Sequence, residues 1–190
     1  MGSESIKIKL IDTAISELIN GRWEQLTIKV LSTKTKIKVS QINKISSSKE
    51  GLLDLWSQNI NLKILEKVTL QELEEVTIKE RILELMLCRL DVLNEHKKEI
   101  LALMKLARRS GIESIRAFER IKKSMEYILN LSGAKMAGKM GALKIIVLSL
   151  IWVITFKEWR DSEEDDDSSV MSKLDKRLSI AEKLNNSLFV

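Results

Sequence analysis

The sequence predicts an all-α fold in two parts, a small N-terminal bundle joined to a larger C-terminal one. Three observations carry this prediction. The chain has no proline and only 7 glycines in 190 residues, so long segments run without a helix breaker. Apolar residues recur at intervals of three and four along most of its length. With 44% hydrophobic and 31% charged residues, it can bury a core and does not have the composition of a disordered chain.

The opening helix is expected over about Ile6–Asn20, with Ile8, Ile11, Ile15, Leu18 and Ile19 on one side. Gly21 is suited to end it as a C-terminal cap residue. Thr27 then starts a short helix with Ile28 and Leu31 facing inward. A second short helix covers about Lys38–Ile45, with Val39 and Ile42 buried. Two short helices joined tightly behind a longer one make a helix-turn-helix unit. Ser48, followed by Lys49-Glu50 and an apolar run, caps the next helix, which carries Leu52, Leu53, Leu55, Trp56 and Ile60.

Thr69–Glu75 is acidic and less apolar, and the periodicity resumes beyond it. Ile78, Ile82, Met86, Leu90 and Leu93 form one stripe, and Ile100, Leu103, Met104 and Ala107 the next. Ile112, Ile115, Phe118, Ile121, Met125 and Ile128 form a third. Ala142–Trp159 is apolar on nearly every side, which suits a central helix or an interface. Met171, Leu174, Leu178, Ala181 and Leu188 trace a last amphipathic helix. The expected organisation is residues 1–50 as the helix-turn-helix part, 51–68 as a connecting helix, and 69–190 as the larger bundle.

The charge is unevenly placed. Net charge is +5, and residues 1–50 hold nine Lys/Arg against five Asp/Glu. No acid interrupts the stretch from Thr27 to Lys49, which contains Lys29, Lys34, Lys36, Lys38 and Lys44. Such a basic surface favours association with anions. Cys88 is the one cysteine, so no internal disulfide exists, and its apolar surroundings suit a small core side chain. The opening residues lack a basic-then-apolar leader, and the most apolar stretch, Ile145–Phe156, is shorter than the ~20 residues that span a bilayer. A cytoplasmic protein that does not cross a membrane is therefore expected.

No catalytic constellation is evident. His96 is the one histidine, so neither a two-histidine metal site nor a Ser/His/Asp triad with a second histidine can be built, and His96 reads as a helix-start residue. The acidic run Asp161–Asp167 lacks the glycine and terminal glutamate of a calcium loop. Gly138 and Gly141 follow no strand and do not make a phosphate loop; they let helices turn or approach closely. No cofactor or metal is expected, and an enzyme is not. Met86, Met104, Met125, Met136 and Met140, with Trp152, either line an apolar ligand pocket or pack as ordinary core.

The N-terminal part resembles the DNA-binding domain of TetR/AcrR transcriptional regulators. The residues that carry the resemblance are Ala14, Gly21-Arg22-Trp23, Leu26-Thr27-Ile28, Ser48-Lys49-Glu50 and Leu52-Leu53. The resemblance implies that the Val39–Ile45 helix enters a major groove. Gln41 and Asn43 would read base edges. Lys38, Ser40 and Lys44 would also face the nucleic acid, and Thr27, Lys29, Lys34 and Lys49 would touch phosphates. The chain departs from the family at Lys36, where a turn glycine is usual, and at Asn43 and Ser46, where aromatic residues are usual.

The larger part looks like the ligand domain of an alphaproteobacterial-type TetR subgroup. Lys79-Glu80-Arg81-Ile82, Arg89-Leu90-Asp91, Asn94-Glu95-His96-Lys97, Trp159 and Leu174-Asp175-Lys176-Arg177-Leu178 carry that likeness. The subgroup is similar in architecture to the COQ9 lipid-binding proteins, whose Trp-Tyr-Thr-Lys-Arg signature this chain lacks. The resemblance implies a ligand-responsive regulator, a repressor, that binds a palindromic operator in double-stranded DNA. It also implies a homodimer joined by the last two helices, with Leu148, Trp152, Leu174 and Leu178 at the interface. The methionine-rich inner faces, without placed polar groups, lead to the expectation of an apolar or lipid-like ligand. The competing expectation is a COQ9-like lipid- or quinone-binding accessory protein whose helix-turn-helix no longer binds DNA.

Overall fold

The computed structural model describes residues 2–68, 73–161 and 167–184. Part of Thr69–Glu75, most of the acidic run Asp161–Asp167, and Leu188 lie outside the described residues. The described elements are α1 (Ser3–Ile19), α2 (Ile28–Thr35), α3 (Val39–Ile45), α4 (Lys49–Lys67), α5 (Ile78–Glu95), α6 (Lys97–Ala107), α7 (Gly111–Ser132), α8 (Gly138–Asp161) and α9 (Asp167–Leu184). No strand occurs among them, and the fold is all-α as the breaker-free sequence predicts.

The chain divides into two compact units. The first comprises Met1–Asn59 and His96–Arg116, and the second comprises Ile60–Glu95 and Ala117–Val190. In the first unit, Leu10, Ile11, Ala14, Ile15 and Leu18 of α1 are buried with Trp23, Leu26, Leu31, Ile42, Leu52 and Leu53. Leu106 of α6 joins that core although it lies far along the chain. Ile8 and Ile19, expected on the buried side of α1, are instead 48% and 42% exposed. Turning through about 100° per residue places both roughly 90° or more from the centre of the buried stripe. Ile112 and Ile115 also emerge exposed, because burial along α7 begins only at Ser124 and Met125.

Helix α1 ends as the glycine predicts. Gly21 takes φ +72°, its N–H donates to Leu18 O, and the Arg22 N–H donates to Glu17 O. These two bonds are the paired terminal contacts of a Schellman cap. The side chains repeat the pairing, since Arg22 Nε and Nη2 donate to the two Glu17 carboxylate oxygens at 3.0 and 2.9 Å.

In the second unit α9 packs on α8 and on α5, and α5 also touches α8. Met86, Met125, Ile128, Leu148, Trp152, Leu174 and Leu178 are buried there. Leu148, Trp152, Leu174 and Leu178 were expected to face a partner subunit. All four are already buried within the one chain, so the apolar surface that remains exposed lies elsewhere on these helices. The exposed apolar side chains of α8 are Leu143, Ile146, Leu150, Val153 and Ile154, and those of α9 are Met171, Ile180 and Leu184. Met171, expected on the inner stripe of α9, is thus on its outer side.

Helix α8 is longer than its apolar centre suggests. Its 24 residues have a mean hydropathy of 1.9 over the most apolar window, long and apolar enough to cross a membrane by length and composition. Its two faces account for that value: one packs on α9 and α5, and the opposite one carries the exposed apolar stripe. Gly141 allows its first turn to form, because a Cβ there would lie 2.2 Å from Met136 O.

Candidate nucleic-acid interface

The geometry of the α2–α3 corner follows from local chemistry. Thr27 caps α2 by accepting a hydrogen bond from the Val30 N–H at 3.2 Å. Leu31 is fully buried, and Thr35 folds its hydroxyl back on Leu31 O at 2.6 Å. Lys36 then closes the helix at φ 60°, ψ 28°, the one non-glycine residue with positive φ among the described residues. The turn that usually holds glycine is therefore present in its left-handed form with lysine in it. Ser32 Oγ donates to Ile37 O at 2.6 Å and Ile37 is buried, which together hold the turn against that strain.

Helix α3 leaves the turn with Ile42 as its one fully buried side chain. Val39, expected inward, is 38% exposed, because it opens a seven-residue helix whose core contacts, Ile42 and Ile45, lie further along it. Ser40, Gln41, Asn43 and Lys44 are exposed with it. Gln41 Oε1 accepts from the Lys38 N–H at 3.4 Å and so stabilises the helix start, leaving its amide NH2 outward. Ser46 takes up the position of an expected aromatic by organising the next helix start. Its hydroxyl donates to Ser48 O at 2.7 Å, and Ser48 Oγ in turn accepts from the Gly51 N–H at 3.1 Å.

The lysines differ in what they do. Lys29, Lys38 and Lys44 are exposed, with no ion pair among the described residues. Lys34 pairs with Glu17 at 3.3 Å, and Lys49 donates to Trp23 O at 2.6 Å while lying 5.0 Å from the Trp23 ring centroid. These two cations fasten the domain together, and their charge is turned partly inward. Glu17 is the centre of that arrangement. The hydrogen-bonded Arg22 holds its carboxyl down to about 2, with Lys34 adding to the effect and burial opposing it. Sequence reading missed this triad, although an acid at the end of α1 followed by Arg22 and Lys34 is a visible signal.

The expected ligand residues divide between the units. Met86, Met125 and Trp152 are buried in the second unit, whereas Met104 is half-buried in the first. Two described grooves of the second unit, of ≈ 220 and ≈ 390 Å³, are lined by Leu87, Leu90 and Met171 and by Leu73, Val76 and Leu83 respectively. Arg89 entered the sequence reading only through the family resemblance, and its burial was missed. It falls on the buried stripe of Ile82, Leu85, Met86, Val92 and Leu93, and a lone cation at that spacing was the available sign. Cys88 is buried, and burial, with Glu84 beside it, pushes its thiol up to about 12, which suits a packing role. His96 precedes α6 and meets Trp56 edge to face at 6.0 Å. Among the described residues no cluster of three or more His, Cys, Asp or Glu could hold a metal ion.

The fold has a known counterpart. The crystal structure of the TetR transcriptional regulator from Nitrosomonas europaea superposes with a TM-score of 0.63 over 94% of this chain and 98% of that one, at 17% identity. At that identity the likeness establishes a TetR-like fold. No protein-family model matches the chain, and no curated protein is similar to it at a significant level.

Proposed function

We propose that the chain is a cytoplasmic, dimeric, ligand-responsive transcriptional regulator that acts as a repressor on a palindromic operator. The observation that carries this reading is the outward face of α3. Ser40, Gln41, Asn43 and Lys44 are exposed on a helix anchored by the buried Ile42 and the partly buried Ile45, within a stretch that has no acid between Glu24 and Glu50. Gln41 and Asn43 carry amides able to pair with adenine edges, and Val39 offers an apolar contact for a thymine methyl. Lys29, Lys38 and Lys44 serve phosphates, with Thr27 beside them. Lys34 and Lys49 contribute less, since both are engaged within the domain.

Dimerisation is assigned to the exposed stripe of α8 and its neighbours on α9. Leu143, Ile146, Leu150, Val153 and Ile154 follow a spacing that keeps them on one side of a helix, and a self-complementary contact would bury them. Sedimentation of Leu150→Glu should then show monomer where the parent chain shows dimer. A ligand in the second unit acts by favouring a conformer that no longer fits the operator.

The test is binding to a fluorescent fragment of the promoter beside this protein's own gene, across a salt series. Binding that outcompetes a scrambled fragment, falls steeply with salt, and is lost in Gln41→Ala or Lys44→Ala supports the reading. Equal binding to both fragments reduces the face to a basic surface. No binding at low salt, with a lipid retained in native mass spectrometry, replaces the regulator with a lipid- or quinone-binding accessory protein. The inward engagement of Lys34 and Lys49 is what would favour that alternative.

A further inference from the structure

Among the described residues, the second unit buries a positive charge whose hydrogen-bond and ring partners are both neutral. Arg89 on α5 is 6% exposed, and Leu85, Met86, Val92 and Leu93, one turn away on the same helix, are buried with it. Its Nη1 donates to Asn61 Oδ1 on α4, and its guanidinium lies 5.2 Å from the Trp152 ring centroid on α8. Both partners are neutral. The buried Nε–H has no hydrogen-bond partner among the described residues, and burial pushes the guanidinium down to about 10. The same chain handles Glu17 and Arg177 differently, giving the first two cations and the second the Glu158 carboxylate at 2.5 Å.

The free side of Arg89 has a definite shape. With Nη1 engaged by Asn61, the remaining straight edge is Nε–H and Nη2–H, two parallel donors spaced to grip both oxygens of one carboxylate. A buried unpaired charge is retained where something supplies the opposite charge. One cation calls for one negative charge, and the buried apolar walls call for an apolar body. We infer that the Nε/Nη2 edge of Arg89 is the recognition point for a monocarboxylate with an apolar body that enters the second unit. The inference gives the effector of the proposed regulator a chemical class, and in that respect rests on that reading.

The experiment uses the full chain and two probes of equal length, octanoate and octanamide, in isothermal titration. Octanoate should bind the parent chain at least tenfold more tightly than octanamide. Arg89→Met should remove that preference, and Arg89→Lys should keep only part of it, because ammonium keeps the charge but loses the fork. Absence of octanoate binding, equal binding of both probes, or a preference that survives in Arg89→Met overturns the inference. Should Arg89→Met fail to melt cooperatively, arginine-labelled nitrogen NMR decides the matter. Octanoate must move the Nε–H resonance that is missing from Arg89→Lys, and an unmoved resonance counts against the site. Operator binding measured without any carboxylate stands apart from these readouts. Loss of the octanoate preference with operator binding intact sinks the anion site alone, and the reverse result sinks the regulator reading alone.

Discussion

Replacing Glu17 by Gln removes a charge while nearly keeping the side chain's shape, at a point where α1, Arg22 and α2 are tied together. The carboxyl sits at about 2 in the fold against a reference of 4.5, chiefly through the hydrogen bonds from Arg22. At ~1.36 kcal/mol per unit, that gap of about 2.5 units corresponds to roughly 3 kcal/mol. The Arg22 and Lys34 side chains are 52% and 43% exposed, so solvent and salt screen the attraction. About 2 kcal/mol is the expectation near 0.15 M salt. The sign follows from the depressed value. A carboxylate held below its unfolded pKa stabilises the fold fully above about 4.5, and that stability is lost as pH falls toward 2. Urea unfolding followed by circular dichroism, on the parent and Glu17→Gln between pH 6 and pH 2.5, reads the difference directly. It should be about 2 kcal/mol at the upper end and shrink steadily on acidification. A difference that stays constant with pH, or is already negligible at pH 6, would refute the assignment of Glu17 as an ionic hub.

Lys36→Gly should stabilise the protein by about 0.5–1 kcal/mol, the left-handed penalty of roughly 1–2 less the added chain entropy of glycine, because the lysine side chain is exposed and makes no described contact. Lys36→Val should destabilise in the same urea assay, and equal stabilities for the two variants would contradict the observed turn. Gly141→Ala should cost about 1–3 kcal/mol despite its better helix propensity, since the new Cβ would meet the Met136 carbonyl. Cys88 should resist a thiol reagent at pH 8 in the folded chain and react fully in urea, as expected of a thiol raised to about 12 by burial; rapid native labelling would show that the helix opens.

Much of the helix-turn-helix part was legible in the sequence because its signals are local. Thr27 and Ser48 caps, the Gly21 terminus and the anchors Leu31 and Ile42 each depend on neighbours within a turn or two, and each appears where the pattern places it. Lys36 is instructive. Lysine stands where a turn glycine is usual, yet the turn takes the left-handed form, held by the Ser32 bond to Ile37 O and the burial of Ile37. The exposed set Ser40, Gln41, Asn43 and Lys44 could also be read from spacing, since a short helix held by Ile42 and Ile45 leaves its polar residues outward.

What the linear pattern could not decide was which of several apolar faces becomes the inside. Helix α8 is apolar all round, so periodicity offers no preference; packing against α9 and α5 buries Leu148 and Trp152 and leaves Leu150 and Val153 in solvent. Ile8 and Ile19 lie round α1 from its buried stripe, and Ile112 and Ile115 precede the point at which burial along α7 begins. Nor could it place Leu106 in the core of the first helices, or bring Asn61, Arg89 and Trp152 together from three helices. The sequence by itself determined the helices, their caps and the basic, amide-bearing face, because hydrogen bonding and helical spacing act over a few residues. Only tertiary structure decided the buried faces and the Arg89 environment, because burial is a property of several segments packed at once.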